Sequence, residues 1–370
     1  MRILIDAHMV GERESGNERY ILNLLAALTE LAPPAEFIVA ASHPELVQEI
    51  LTDRTRWRVE PVSAPAWRRL GFELPALVRR ARVDLLHVTY AAPLWPGCRV
   101  LTTVHDVSYR SHPEWFSVRD RCVLRAGVGL TLAAGARVMT ISEHSRLEIS
   151  RYYGLPKNRI QVTHLAGDPC FRPPSNAGST VDLNCLGIRS PYILAVGNLQ
   201  PRKNLGGLIR AAAELKQKKT GPFQVVIAGK AKWRESDLYS EIRQLGLEQE
   251  VCFLGYVSDE TLIGLYQRAA VFVYPSLYEG FGLPLLEAMA CGAPVVTTRC
   301  TSIPEVVGEA ALMVEASDTG ALADAMRRVL EDESLRASLR EKGLKQAAQF
   351  SWARTARETW DVYRQAVERS

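Results

Sequence analysis

The feature that most constrains this chain is an alternation of strand and helix patterns that runs twice, with a single interruption. Short β-branched runs at residues 2–7, 37–41, 84–88, 100–104 and 138–141 alternate with stretches of helical period. In residues 17–31, Ile21, Leu24, Leu25, Leu28 and Leu31 recur at helical spacing, and the pattern stops before Pro33-Pro34. Ser142 is a good helix N-cap, with Ser145 and Arg146 in the first turns. Residues 167–191, rich in Pro, Gly, Ser and Asn, have the composition of a linker. Strand patterns resume at residues 192–196, 224–228, 251–254, 271–274 and 294–297, with helical patterns at 205–218, 236–245, 258–268 and 283–291. Such alternation means a parallel sheet covered on both faces. The expected fold is α/β, with two doubly wound domains facing a central cleft. The expected boundaries are 1–175 and 190–348, with a break near residue 180 and a closing amphipathic helix in 349–370 that carries Trp352, Trp360 and Tyr363. In doubly wound sheets ligands bind outside the carboxyl ends of the strands.

With 370 residues, 47% hydrophobic and 23% charged, the chain is long enough for two or three domains, and disorder and coiled coil are excluded. No apolar run approaches the ~20 residues of a membrane span, and the start, MRILID, reads as a strand rather than a signal peptide, so a cytoplasmic chain is expected. The seven cysteines show no paired spacing and are expected to be reduced thiols, mostly buried. The net charge of +4 lies in the first half: residues 1–180 carry 22 basic and 18 acidic side chains, against 23 of each in the rest. Eight arginines fall between Arg54 and Arg82, against Glu60 and Glu73. The plain reading is a solvated face; the functional one is a surface for an anionic acceptor or a membrane.

Four segments can carry chemistry. In YPSLYEGFGLPLLEAMACGAPVVT a buried strand ends at Tyr274-Pro275, and a loop with Glu279, Gly280, Phe281 and Gly282 leads into a helix at Leu283-Pro284. Glycines let backbone N–H groups approach a ligand, and a helix N-terminus favours phosphate. Glu287 lies on the face of Leu283 and Cys291, where burial is costly unless hydroxyls hydrogen-bond it; a bound ribose would supply them. The bland alternative is a partly exposed helix acid and turn glycines. In VGNLQPRKN, Arg202 and Lys203 stand before a helix, a fork and a point charge suited to a diphosphate. In TTVHD, His105 follows a strand, as a sugar-hydroxyl partner or a satisfied core histidine. His8 and His144 also follow strand ends. In the loop after the first strand, Gly16 precedes a helix, but Glu12, Glu14 and Glu18 make the loop acidic and unsuited to phosphate.

The stretch EGFGLPLLEAMACGAPVVT, with Glu279 and Glu287 eight apart, resembles the signature of glycosyltransferase family 4, the retaining nucleotide-sugar enzymes of GT-B fold. VGNLQPRKN resembles that family's donor-phosphate segment, TTVHDVSY and TISEHS its first-domain blocks, and FSWARTARETWDVY its closing helix, which crosses back to the first domain. The resemblance covers nearly the whole chain. It implies that Glu287 binds ribose hydroxyls and Glu279 contacts the donor sugar. It assigns Phe281, Gly282 and Leu283 backbone contacts to sugar and phosphate, and Arg202 and Lys203 the leaving diphosphate. It places His105 against the transferred sugar, Gly16 near the donor, and residues 253–257 around the base. Family members often pair glycines after the first strand, whereas Gly16 stands alone between Ser15 and Asn17.

The implied activity is transfer of a hexose, mannose among the first candidates, from a GDP- or UDP-linked sugar to a glycan or lipid-linked glycan. No other cofactor, no metal and no nucleic acid are expected, and a peripheral membrane contact runs through Arg54–Arg82. Preplaced cations and helix N-terminal amides suit a departing diphosphate. A nucleotide-sugar epimerase, a phosphorylase using pyridoxal phosphate and a non-catalytic sugar-nucleotide binding protein are the alternatives.

Overall fold

The computed structural model describes residues 1–11, 15–51, 53, 55–174, 181–230 and 235–368. They form two compact units, Met1–Ala166 with Ser351–Ser370, and Gly167–Phe350.

The first unit holds seven parallel strands: β1 Arg2–Asp6, β2 Glu36–Ala41, β3 Trp57–Pro61, β4 Leu85–Thr89, β5 Arg99–Thr103, β6 Arg137–Thr140 and β7 Ile160–Val162. Their order is β3-β2-β1-β4-β5-β6-β7. Central β4 is buried along its whole length, as a strand covered on both faces must be. The closing helix Trp352–Glu368 belongs to this unit and packs on the helix Ser15–Leu31 and on β4 and β5. Its buried stripe of Thr355, Ala356, Thr359, Val362, Tyr363 and Ala366 follows the helical period.

The second unit holds β8 Tyr192–Val196, β9 Gln224–Ala228, β10 Val251–Gly255, β11 Val271–Tyr274, β12 Val295–Thr298 and β13 Ala311–Val314, in the order β10-β9-β8-β11-β12-β13. Its core packs Ile193, Val225, Ile227, Val271 and Val273 against the helices Leu205–Gln217 and Thr319–Glu331. Alanines 211 to 213 let the first of these helices lie close to the sheet. In both sheets the strand order reverses at one point, between β1 and β4 and between β8 and β11. Those switch points are where a doubly wound sheet opens a crevice at the carboxyl ends of its strands.

The break between units falls at Ala166–Gly167, earlier than the expected position near 180. The Pro- and Gly-rich stretch is tied to the second unit by its few apolar residues. Leu183 and Ile188 are buried, and Phe171 meets Tyr266 edge-on at 5.9 Å. The expectation that the cysteines are mostly buried is corrected. All seven are free, but only Cys291 is buried, while Cys122, Cys170 and Cys185 are exposed.

The arginine-rich segment builds structure. It contains β3, whose Trp57 stacks on Phe37 at 4.3 Å, and a helical run over 66–81 that widens to a π-turn at Arg69–Glu73. Arg54 lies outside the described residues. Arg56 pairs with Asp53, Arg58 and Arg80 with Glu60, and Arg68 with Glu73. Arg69 is buried and donates to Asp6 Oδ2 at 3.2 Å. Among the described residues, no helix is long and apolar enough to cross a membrane.

Candidate active site

In the second unit the site forms at the β8/β11 switch point. The loop after β8 folds back because two backbones come very close. A Cβ on Gly229 would stand 2.0 Å from Gly197 O, with φ at +155°, so glycine is obligatory there. Gly197, with φ at +144°, leaves room for the Lys203 stem, which would lie 3.3 Å from a Cβ. Asn204 adopts the left-handed conformation and donates to Pro275 O at 3.1 Å and Ala316 O at 3.2 Å. Leu277 N–H donates to Arg202 O at 2.8 Å, which ties the loop after β8 to the loop after β11.

This folding brings three charges together. Lys203 Nζ donates to Glu279 Oε1 and to Tyr274 Oη, both at 2.6 Å, and Arg202 Nη1 donates to Glu279 Oε2 at 2.8 Å. Ser276 Oγ donates to Glu279 Oε1 at 2.7 Å. Glu279 and Lys203 are buried, while the Arg202 side chain is 30% exposed. Burial pushes the Glu279 carboxyl up, but the charges of Arg202 and Lys203 and their hydrogen bonds outweigh it and hold the group at about 2. Burial lowers Lys203 to about 8, opposed by Glu279 and assisted by Arg202. Near neutral pH the cluster is two cations around one buried carboxylate, a net +1.

The adjacent helix, Leu283–Ala290, starts at Gly282, whose φ is +110° and which supplies no capping side chain. The first-turn donors therefore have no side-chain cap. Ser302 Oγ fixes the approach by donating to Glu279 O at 2.9 Å and Phe281 O at 3.1 Å. Phe281 is buried edge-on against Phe350, 5.9 Å away. Glu287 is 4% exposed and accepts from Tyr266 Oη at 3.2 Å, so the cost of its burial is met in part by a tyrosine hydroxyl. In residues 253–257, Tyr256 is 72% exposed and Lys230 Nζ sits 5.0 Å from its ring centroid.

In the first unit, His105 follows β5 and is 6% exposed. Its carbonyl accepts from Ser145 Oγ at 2.7 Å, and its Nε2 has no hydrogen-bond partner. Burial lowers its pKa to about 4, opposed by Asp106, so the imidazole is neutral at physiological pH. His8 is held by Asp6, with Nδ1 at 3.1 Å from Oδ1.

Arg202, Lys203, Glu279, Phe281, Gly282, Leu283 and Glu287 thus come together around one switch point. His105 stands in the other unit. Gly16 lies inside the helix Ser15–Leu31 rather than before it; it is exposed, and a Cβ there would meet nothing within 4 Å. Glu12 and Glu14 lie outside the described residues. The sequence reading missed Ser276 and Tyr266, which donate to Glu279 and Glu287, Ser302, which donates to the Glu279 and Phe281 carbonyls, and Tyr274, which accepts from Lys203. Only Ser276 left a local signal, a hydroxyl three residues before Glu279 in an otherwise apolar stretch. Among the described residues, no group of three or more His, Cys, Asp or Glu could hold a metal ion.

Comparison with known proteins matches this geometry to a family. Residues 187–346 match the model for Glycosyl transferases group 1, and residues 15–169 that for Glycosyltransferase Family 4. The O-antigen chain mannosyltransferase B of Escherichia coli is 37% identical over 274 residues, covering 72% of this chain and 70% of that protein. A serotype-specific mannosyltransferase WbdA of Escherichia coli is 34% identical over 211 residues, or 53% of this chain, which spans only 26% of that longer protein. The solved structure of Anabaena HepE, in complex with UDP and glucose, superposes with a TM-score of 0.78 at 21% identity, over 99% of this chain and 100% of that one. With switch-point cations, an uncapped helix N-terminus and two doubly wound sheets, the chain belongs to glycosyltransferase family 4 and is a glycosyltransferase of GT-B fold.

Proposed function

We propose that this enzyme moves a hexose, mannose in the first instance, from a nucleoside-diphosphate sugar to a glycan or lipid-linked glycan acceptor, with retention at the anomeric carbon. The observation that carries this reading is the Arg202–Lys203–Glu279 cluster beside an uncapped helix N-terminus. The relatives named above as mannosyltransferases support mannose, and the UDP and glucose seen with HepE support the nucleotide-sugar class.

The anomeric C–O bond breaks with its electron pair passing to the diphosphate, the acceptor hydroxyl oxygen forms the new bond on the same face, and its proton passes to the departing phosphate oxygen. Arg202, Lys203 and the first-turn N–H groups stabilise the charge on the departing phosphate. Glu279 is assigned to holding the two cations in place, in addition to the sugar contact that family resemblance implies. Glu287 takes the ribose hydroxyls, and His105, as a neutral imidazole, takes the transferred sugar. The test is the double variant Arg202→Ala, Lys203→Ala with GDP-mannose and UDP-glucose as donors. At ~2–4 kcal/mol per lost charged contact, the loss of two lowers turnover by about 1,000-fold or more. Wild-type turnover in the double variant refutes the reading.

A membrane contact of the 54–82 segment rests on exposed Trp67 and Phe72, 72% and 67% accessible, beside Arg68, Arg79 and Arg82. Cosedimentation with anionic vesicles that is lost in Trp67→Ser, Phe72→Ser supports it. Equal cosedimentation of the two proteins refutes it.

A further inference from the structure

His105 occupies its position without a hydrogen bond to Nε2, so ring packing sets its rotation. Tyr20 meets the imidazole edge-on, with centroids 4.8 Å apart and planes at 86°, and Tyr90 meets it at 5.9 Å and 63°. Tyr20 comes from the helix Ser15–Leu31 and is fully buried. Its hydroxyl lies 3.0 Å from Thr103 Oγ1, on the strand that leads into His105. Thr103 Oγ1 lies in turn 2.7 Å from His87 Nε2, and His87 Nδ1 lies 2.7 Å from Tyr363 Oη on the closing helix. His87, Thr103 and Tyr363 are all buried.

A histidine in the middle of a central strand is a poor choice for packing alone. Burial and the nearby His105 lower its pKa to about 3, so it stays neutral and offers one donor and one acceptor. Those two atoms fit between a threonine and a tyrosine hydroxyl, so each polar side-chain atom of the four groups has a partner within the chain. We infer that Tyr20, Thr103, His87 and Tyr363 are positioning residues for His105: the network fixes the Tyr20 ring, the Tyr20 ring fixes the imidazole, and the closing helix supplies the anchoring hydroxyl. This rests on the assignment of His105 to the transferred sugar.

The first test needs no substrate. The ionisable groups around His105 are Asp106, His87, Tyr20 and Tyr90. Nitrogen-15 NMR of labelled histidine, with His105 assigned from its absence in His105→Ala, reads ring tautomer and titration in the wild type, Tyr20→Leu and Tyr363→Phe. The expected result is one fixed, non-titrating neutral form of His105 above pH 5 in the wild type. The variants give a broadened or averaged ring signal. An unchanged His105 signal in both variants overturns the inference.

The second test is a double-mutant cycle on release of nucleoside diphosphate from UDP-glucose or GDP-mannose. Tyr20→Leu lowers kcat by about 10- to 100-fold, with donor KM unchanged, as expected for a misplaced contact group. The same change made in His105→Ala has no further effect. Effects that multiply overturn the positioning role while leaving the His105 assignment intact. Full turnover in His105→Ala itself overturns the assignment, and the positioning role with it. If Tyr20→Leu does not fold, Tyr20→Phe runs the same cycle with an expected loss of about 3- to 10-fold.

Discussion

Replacing Glu279 by Gln keeps the shape of the side chain and removes the charge that joins Arg202 to Lys203. The wild-type carboxyl is held at about 2, against an ordinary value of 4.5, and it is buried. A displacement of that size corresponds to about 3 kcal/mol favouring the ionised form. Removing one partner of a buried cluster costs a similar ~3–5 kcal/mol, because the remaining charges stay desolvated. The carboxyl's contribution is present above the unfolded pKa and is lost as pH falls from 4.5 towards 2.

The variant also exposes Lys203 to the full effect of burial. Its folded pKa already sits at about 8, with Glu279 holding it up. Without Glu279 it drops further, while the unfolded value stays near 10.5. Where the unfolded chain binds more protons than the folded one, stability rises with pH. The expected outcome is a variant about 3 kcal/mol less stable at pH 7, whose stability starts to climb at a lower pH than the wild type's. Urea unfolding at half-unit steps from pH 5.5 to 9.5 measures both quantities. A loss under 1 kcal/mol, together with pH profiles that run parallel, would refute the argument that Glu279 is the electrostatic centre of the site.

Three further outcomes follow from the same geometry. Turnover forms a plateau that falls above about pH 8, as Lys203 loses its proton, and below about pH 4, as His105 gains one; Lys203→Arg removes the upper limb, and a limb that survives in that variant assigns it elsewhere. Gly229→Ala places a Cβ 2.0 Å from Gly197 O at a left-handed φ, so the variant unfolds at lower urea by several kcal/mol; Gly16→Ala, whose Cβ meets nothing, gains up to ~1 kcal/mol of helix stability. Tyr266→Phe removes the hydroxyl that donates to Glu287 and weakens nucleoside-diphosphate binding in calorimetry by about fivefold, whereas unchanged affinity removes Tyr266 from the site.

The sequence alone determined the fold class and most of the second sheet, because buried parallel strands must be short apolar runs and their helices must show an apolar stripe. Residues 192–196, 224–228 and 271–274 are strands with the bounds that pattern set. It did not reveal β3, β7 and β13, which are short or only partly buried edge strands. A partly exposed edge strand shows only a weak apolar pattern. Arg202, Lys203 and Glu279 were legible as chemistry, since charged groups in the loops at the carboxyl ends of apolar strands have few structural reasons to be there, and Glu287 because an acid on the apolar face of a helix needs a partner. What they bond to was not legible. Glu279 and Lys203 are 76 residues apart, and only the β8/β11 switch point makes them neighbours. The same holds for His87 and Tyr363, separated by 276 residues and joined by a 2.7 Å contact. Periodicity records which face a residue presents, a local property. Which charge neutralises which, where the unit boundary falls, and which arginines are spent on ion pairs depend on packing over long range, and the tertiary structure decided them.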